Sequence, residues 1–158
     1  MNSPETSTKD RSFSALIYLF PLVYSLPFGI ILLSQFPWLA QFFTPLIALY
    51  GVTNTLPFAS LIIFFGLWFA VVRNDNVSYF LRFNGMQAIL LNILQILFSL
   101  IMGILAPAFG AQSLISETLS NTIFMGSVVA CFFCMVRSIQ GEYAELPALS
   151  DAASSQIR

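Results

Sequence analysis

The chain has 158 residues, of which 58% are hydrophobic and only 8% charged, and its net charge is −1. Soluble domains are nearer a quarter charged, so these proportions exclude an ordinary soluble domain and leave an integral membrane protein. There is no histidine, which removes the commonest general base and metal ligand.

The charges are segregated. No Asp, Glu, Lys or Arg lies between Arg11 and Arg73, between Arg82 and Glu117, or between Glu117 and Arg137. About 20 apolar residues cross a bilayer as a helix. The first gap therefore holds two spans and a connection, and each of the others holds one. Spanning strands would alternate polar and apolar residues, which these continuous runs do not. The fold class expected is an all-α membrane protein with four transmembrane helices and a single domain.

Residues 1–12 are polar and expected to be a disordered tail. The first span is expected at about 13–33, kinked at Pro21 or Pro27, since membrane helices tolerate proline when neighbours satisfy the freed carbonyls. Residues 35–53 are apolar but broken by Pro37, Pro45 and Gly51. Trp38, Phe42, Phe43 and Tyr50 suit a segment lying in the headgroup region between the first two spans, with a re-entrant or buried segment as the alternative. Asn54-Thr55-Leu56-Pro57 reads as a helix start, opening a second span at about 56–72. Arg73 to Phe83 is a surface connection that leads, through a short amphipathic approach, into a third span at about 84–105, ended by Pro107 and Gly110. A short loop leads to the fourth span at about 119–139, with Glu117 placed to complement the helix dipole. Residues 140–158 form a polar tail. No cleavable leader or transit peptide is expected from the first dozen residues, which include Glu5 and Asp10.

With four spans, Lys9, Arg11, Arg73, Arg82, Arg137 and Arg158 all fall on one side. The positive-inside rule makes that side cytoplasmic or stromal, with both termini inward.

The main intramembrane feature is an amide stripe on the third span. Asn84, Ala88, Asn92, Gln95, Ser99 and Gly103 share one helical face, with Gln87 beside them. Amides in lipid need partners. The stripe therefore either glues helices together or presents a polar path to a substrate. Ser127, Cys131, Cys134 and Ser138 share a face of the fourth span. Their small side chains favour close helix packing, and the Cys-x-x-Cys pattern, set mid-span between phenylalanines, reads as core rather than as a redox or metal motif. Arg73, Asp75 and Arg82 form a charged loop at the inward mouth, solvated or in contact with anionic lipid. No catalytic set, cofactor motif or metal-ligand spacing is present, so neither enzymatic activity nor a metal is expected.

The central segment resembles the Tic-twenty family, the small polytopic subunit of the translocon at the chloroplast inner envelope, which has cyanobacterial relatives. The matching residues are Val71-Val72-Arg73-Asn74, Phe80-Leu81-Arg82-Phe83-Asn84 and Met86-Gln87-Ala88-Ile89-Leu90-Leu91. Leu56-Pro57-Phe58-Ala59-Ser60 and Gly141-Glu142-Tyr143-Ala144-Glu145-Leu146-Pro147 are similar to further family segments. Many relatives carry Asp where this chain has Asn92. The resemblance implies four helices with both termini inward and a role in protein translocation. The function expected is an integral membrane subunit of a protein translocation or insertion assembly. A small-solute channel or transporter, or a non-conducting scaffold, are the alternatives. The lipid bilayer, other translocon subunits or further copies of the chain, and a translocating polypeptide are the expected partners, with no nucleic acid. The absence of a transit peptide and the preference for Arg over Lys favour a cyanobacterial cell membrane, with a plastid-encoded inner-envelope protein as the alternative.

Overall fold

The computed structural model describes residues 6–157. They form an all-helical protein in which α1 (Thr8–Ile17), α2 (Leu19–Gln35), α3 (Pro37–Thr55), α4 (Ala59–Leu67), a π-helical turn (Trp68–Val72), α5 (Tyr79–Phe109), α6 (Leu114–Gln140) and α7 (Leu149–Gln156) follow in order. The expected disordered tail lies partly outside the described residues. Within them the helix already begins at Thr8, with the Ser7 hydroxyl accepting from the Lys9 amide.

Three segments are long and apolar enough to cross a membrane alone: Thr8–Gln35, Tyr79–Phe109 and Leu114–Gln140. The first is broken at Tyr18. Pro21 has no N–H to give the Ile17 carbonyl, and the Tyr18 amide bonds back only three residues, to Ala15. α5 and α6 run well beyond the expected spans. Pro107 is accommodated in the last turn of α5, which Gly110 ends at φ 95°. Ser113 caps α6, with Glu117 in its first turn.

The expected second span needs correction. Asn54 and Thr55 do not start a helix; they finish α3, a 19-residue helix over the residues expected to lie in the headgroup region or, alternatively, to be re-entrant or buried. Leu56 is extended, the backbone that a following proline favours, and Phe58 sits in the left-handed region at φ 61°. α4 therefore starts without a side-chain cap. With its π turn it reaches only about 21 Å, short of the ~30 Å hydrocarbon thickness. α3 and α4 meet at 102° and reach spanning length only as a bent pair.

Contacts between elements fix their directions. A Cβ on Gly141, just after α6, would lie 2.7 Å from Arg11 Nε at the start of α1. The beginning of α1 and the end of α6 are thus at one end of the bundle. α5 and α6 are joined by a four-residue turn at the other end, so α5 also starts at the first end. The bent α3–α4 pair makes the return. Gly141 closes α6 at φ 78°, and the Glu142 amide reaches back to the Arg137 carbonyl, the Schellman arrangement that glycine suits best. Gly141→Ala is expected to cost about 1 kcal/mol from the left-handed backbone, and to dislodge Arg11 from the Thr6 carbonyl and hydroxyl it holds. Denaturation in mixed micelles checks the cost.

The tail is not merely polar. α7 packs on α5, burying Ala153 and Ile157 against Val72, Phe83, Met86 and Ile89. Tyr143 packs edge-on to Phe80 and Phe83, with ring centroids 5.2 Å away in each case.

Candidate functional site

The amide stripe of α5 is present, but it is not one surface. Its first half is closed inside the bundle. Asn84 Oδ1 accepts from the Tyr18 hydroxyl at 2.9 Å and from the Ser138 hydroxyl at 3.0 Å, while its Nδ2 donates to the Phe80 carbonyl. One side chain thereby joins the α1–α2 junction, α5 and α6. Gln87 Nε2 donates to the Ala144 carbonyl at 3.0 Å and lies 3.8 Å from Cys134 Sγ, fastening the tail to the span. Both amides are fully buried, and Gln87 Oε1 is left without a partner among the described residues. Cys131 and Cys134 are free thiols in the same core, packed with Tyr18, Leu22 and Ala88. Among the described residues no three His, Cys, Asp or Glu side chains are grouped to hold a metal.

The second half of the stripe opens. Asn92, Gln95 and Ser99 line a groove of 440 Å³ that runs from the middle of α5 to the α5–α6 turn. Tyr24 of α2, Tyr50 of α3, Ser60 of α4, and Ser116 and Ser120 of α6 complete its polar lining. Gln95 Nε2 donates to the Pro21 carbonyl at 2.9 Å, but its Oε1 has no partner among the described residues. Asn92 is 3% exposed and makes no side-chain hydrogen bond among them. Buried amide groups left without partners cost roughly 1–3 kcal/mol each, so a groove that keeps them invites water or a polar ligand. The volume falls within the ordinary range for small-molecule pockets and is far too small to enclose a polypeptide.

The charged loop is built as a turn. Asn74 donates to the Ala70 carbonyl and accepts from the Asn76 amide. Arg82 Nε donates to the Val72 carbonyl at 3.0 Å, and its NH1 lies 3.4 Å from Asp75. Arg73 stands exposed beside them. Arg137 pairs with Glu142 and lies over the Phe133 ring. The sequence reading missed Tyr18, Tyr24, Tyr50 and Ser60. Tyr18, together with Ser14 and Ser25 in an otherwise apolar run, was the available signal.

These features define a class: a multi-pass helical membrane protein whose interior is stapled by amides at one end and opens at the other into a groove of mixed polar and apolar lining. Comparison with known proteins gives the family. A family model described as "Chloroplast import apparatus Tic20-like" matches residues 2–153. A Tic20 family protein of Synechocystis is 52% identical over 151 residues, covering 95% of this chain and 94% of its own. The Arabidopsis thaliana Protein TIC 20-II, chloroplastic, is 32% identical over 96% of this chain and 74% of its own length. The Tic20 family protein Ycf60 of the alga Gracilaria tenuistipitata is 34% identical over 94% and 75%. The chain belongs to the Tic20 family, as the Arg-Phe-Asn-x-Met-Gln-Ala block suggested.

Proposed function

We propose that this chain is a membrane subunit of a protein translocation or insertion assembly, and that the groove of Asn92, Gln95 and Ser99 is the face it turns toward the passing polypeptide. The observation that carries the reading is the unpartnered Gln95 Oε1 beside an unbonded Asn92 in a wet-sized groove. An extended chain offers amide N–H donors and carbonyl acceptors that such side chains complement regardless of sequence. Family membership supports the same role, because the family is described as chloroplast import apparatus. Because one bundle fills its own interior, a conduit needs a second copy or partner subunits to close around the substrate.

In this reading both termini face the cytoplasm or stroma. The arginines at the Arg11–Gly141 end support that orientation through the positive-inside rule. α3 lies toward the opposite leaflet, where its exposed Trp38 and Phe42 suit the membrane interface. A cyanobacterial cell membrane fits the high identity to the Synechocystis protein.

The test is thiol labelling in intact cells, with Cys131 and Cys134 replaced by Ala. Ser99→Cys and Ser120→Cys are expected to react with an impermeant maleimide added outside, and Leu94→Cys, on the lipid-facing side of α5, to stay unlabelled. Labelling of Ser99→Cys only from the cytoplasmic side, or not at all, would contradict the orientation or the hydration of the groove.

A further inference from the structure

A second polar cavity lies at the end of the bundle that carries the arginines. It measures 340 Å³ and is lined by Trp68, Val72, Arg73, Asp75, Arg82 and Gln156. Its charges differ in exposure: Asp75 is 93% exposed and Arg73 is exposed, but Arg82 is set into the fold. The Arg82 side chain is only 12% exposed and is held by the Val72 carbonyl. A guanidinium has five N–H donors. Val72 and Asp75 engage two of them, so three are left without a protein acceptor among the described residues. Arg73 makes no ion pair among those residues. The π turn gives the Arg73 amide to the Trp68 carbonyl, five residues back, and so brings both residues to the rim of one cavity. Such turns inside α-helices are frequent at functional sites.

The remaining wall comes from the tail. Burial of Ala153 and Ile157 fastens α7 to the span, which puts the Gln156 amide on the cavity. With Arg73 and Arg82 positive and Asp75 negative, the lining carries one net positive charge. Two guanidinium groups and an amide suit a tetrahedral oxyanion. An anion of single charge would leave the site neutral.

We propose that this cavity binds the singly charged phosphodiester of an anionic lipid headgroup, clamped between Arg73, Arg82 and Gln156. The cavity sits at the terminus of a membrane segment whose exposed Phe65 and Phe69 face outward, and Trp68 is an interfacial residue type. Acyl chains can therefore leave along the helix while the headgroup stays in the cavity. The proposal does not depend on the translocation reading. It would give the C-terminal helix a purpose, since α7 closes the site.

The chain has two tryptophans, so Trp38→Phe leaves Trp68 as the only one. The full-length Trp38→Phe protein in neutral detergent micelles is titrated with dioctanoyl-phosphatidylglycerol, dioctanoyl-phosphatidylcholine or sodium phosphate while Trp68 fluorescence is followed. A saturable change is expected with phosphatidylglycerol, at least about tenfold tighter than with phosphatidylcholine. Arg73→Gln is expected to weaken it about fivefold, and this variant should fold as the parent because Arg73 is exposed and makes no ion pair. Gln156→Leu is a second such variant on a different element. Equal affinities for the two lipids would overturn the proposal, as would an Arg73→Gln protein with parental affinity. Sodium phosphate saturating the site at the same concentration as phosphatidylglycerol would show a free-anion site and overturn the lipid assignment.

Discussion

Asn84→Leu is expected to lower stability by about 2–4 kcal/mol, measured by unfolding in mixed micelles. The substitution removes the acceptor shared by the Tyr18 and Ser138 hydroxyls, both fully buried. An orphaned buried hydroxyl costs roughly 1–3 kcal/mol. Interhelical hydrogen bonds measured in lipid average nearer 0.6 kcal/mol because the unfolded chain also finds partners, which holds the sum to the range given. Leucine has the same branching as asparagine, but its two methyls are bulkier than the amide oxygen and nitrogen they replace at a fully buried position. Removing the donors as well, with Tyr18→Phe and Ser138→Ala, is expected to recover at least half the loss. A triple variant no more stable than Asn84→Leu would mean that packing, not hydrogen bonding, accounts for the effect.

Gly29→Val is expected to be comparably damaging, through sterics alone. A Cβ at Gly29 would lie 2.7–2.8 Å from three carbons of the Phe124 ring. Phe124 is 1% exposed and is tilted against Phe43, ring centroids 5.5 Å apart, so the ring has nowhere to go. Overpacking of this kind costs roughly 1–3 kcal/mol, and valine's two further methyls put the variant at the upper end. Gly29→Ala is the milder member of the series. Phe124→Leu in the Gly29→Val background is expected to restore part of the stability, a coupling that a double-mutant cycle reads directly. Independent, additive effects would mean that α2 and α6 adjust their separation freely.

Much of this architecture was legible in the sequence because charge is excluded from lipid. The three charge-free gaps located α2, α5 and α6. Of the two prolines at which a kink was expected, Pro21 follows the break at Tyr18, while α2 runs through Pro27. The bent α3–α4 pair was harder to read. Pro37 takes the first turn of α3, where its missing N–H is harmless. Pro37 therefore marks where α3 begins, whereas Pro45 sits inside the helix and marks no boundary. The actual break, Leu56-Pro57-Phe58, looked like a beginning. The tail helix did leave a signal: Leu146, Leu149, Ala153 and Ile157 recur at helical spacing. Its small polar residues hid that spacing.

The candidate site was legible by half. Periodicity alone put Asn84, Gln87, Asn92, Gln95 and Ser99 near one face. What separates them is supplied from elsewhere in the chain. Tyr18, Ser138 and Ala144, each more than 50 residues from its amide partner, close the stripe at Asn84 and Gln87. Among the described residues no comparable partner reaches Asn92, and Gln87 itself keeps one unanswered oxygen. Helical spacing shows where polar groups lie along a span, but only tertiary structure shows which of them remain unanswered.

In the proposed function the open half of the stripe meets a polypeptide. Site-specific photo-crosslinking in the native membrane tests it most directly, with the probe at Asn92 or Gln95 and a control at Leu94. Crosslinks to exported or inserting polypeptides are expected from the two groove positions, absent at Leu94 and lost when protein synthesis is blocked. Crosslinks from the groove to a single resident membrane protein, unchanged by that block, would contradict it and make the groove an assembly surface.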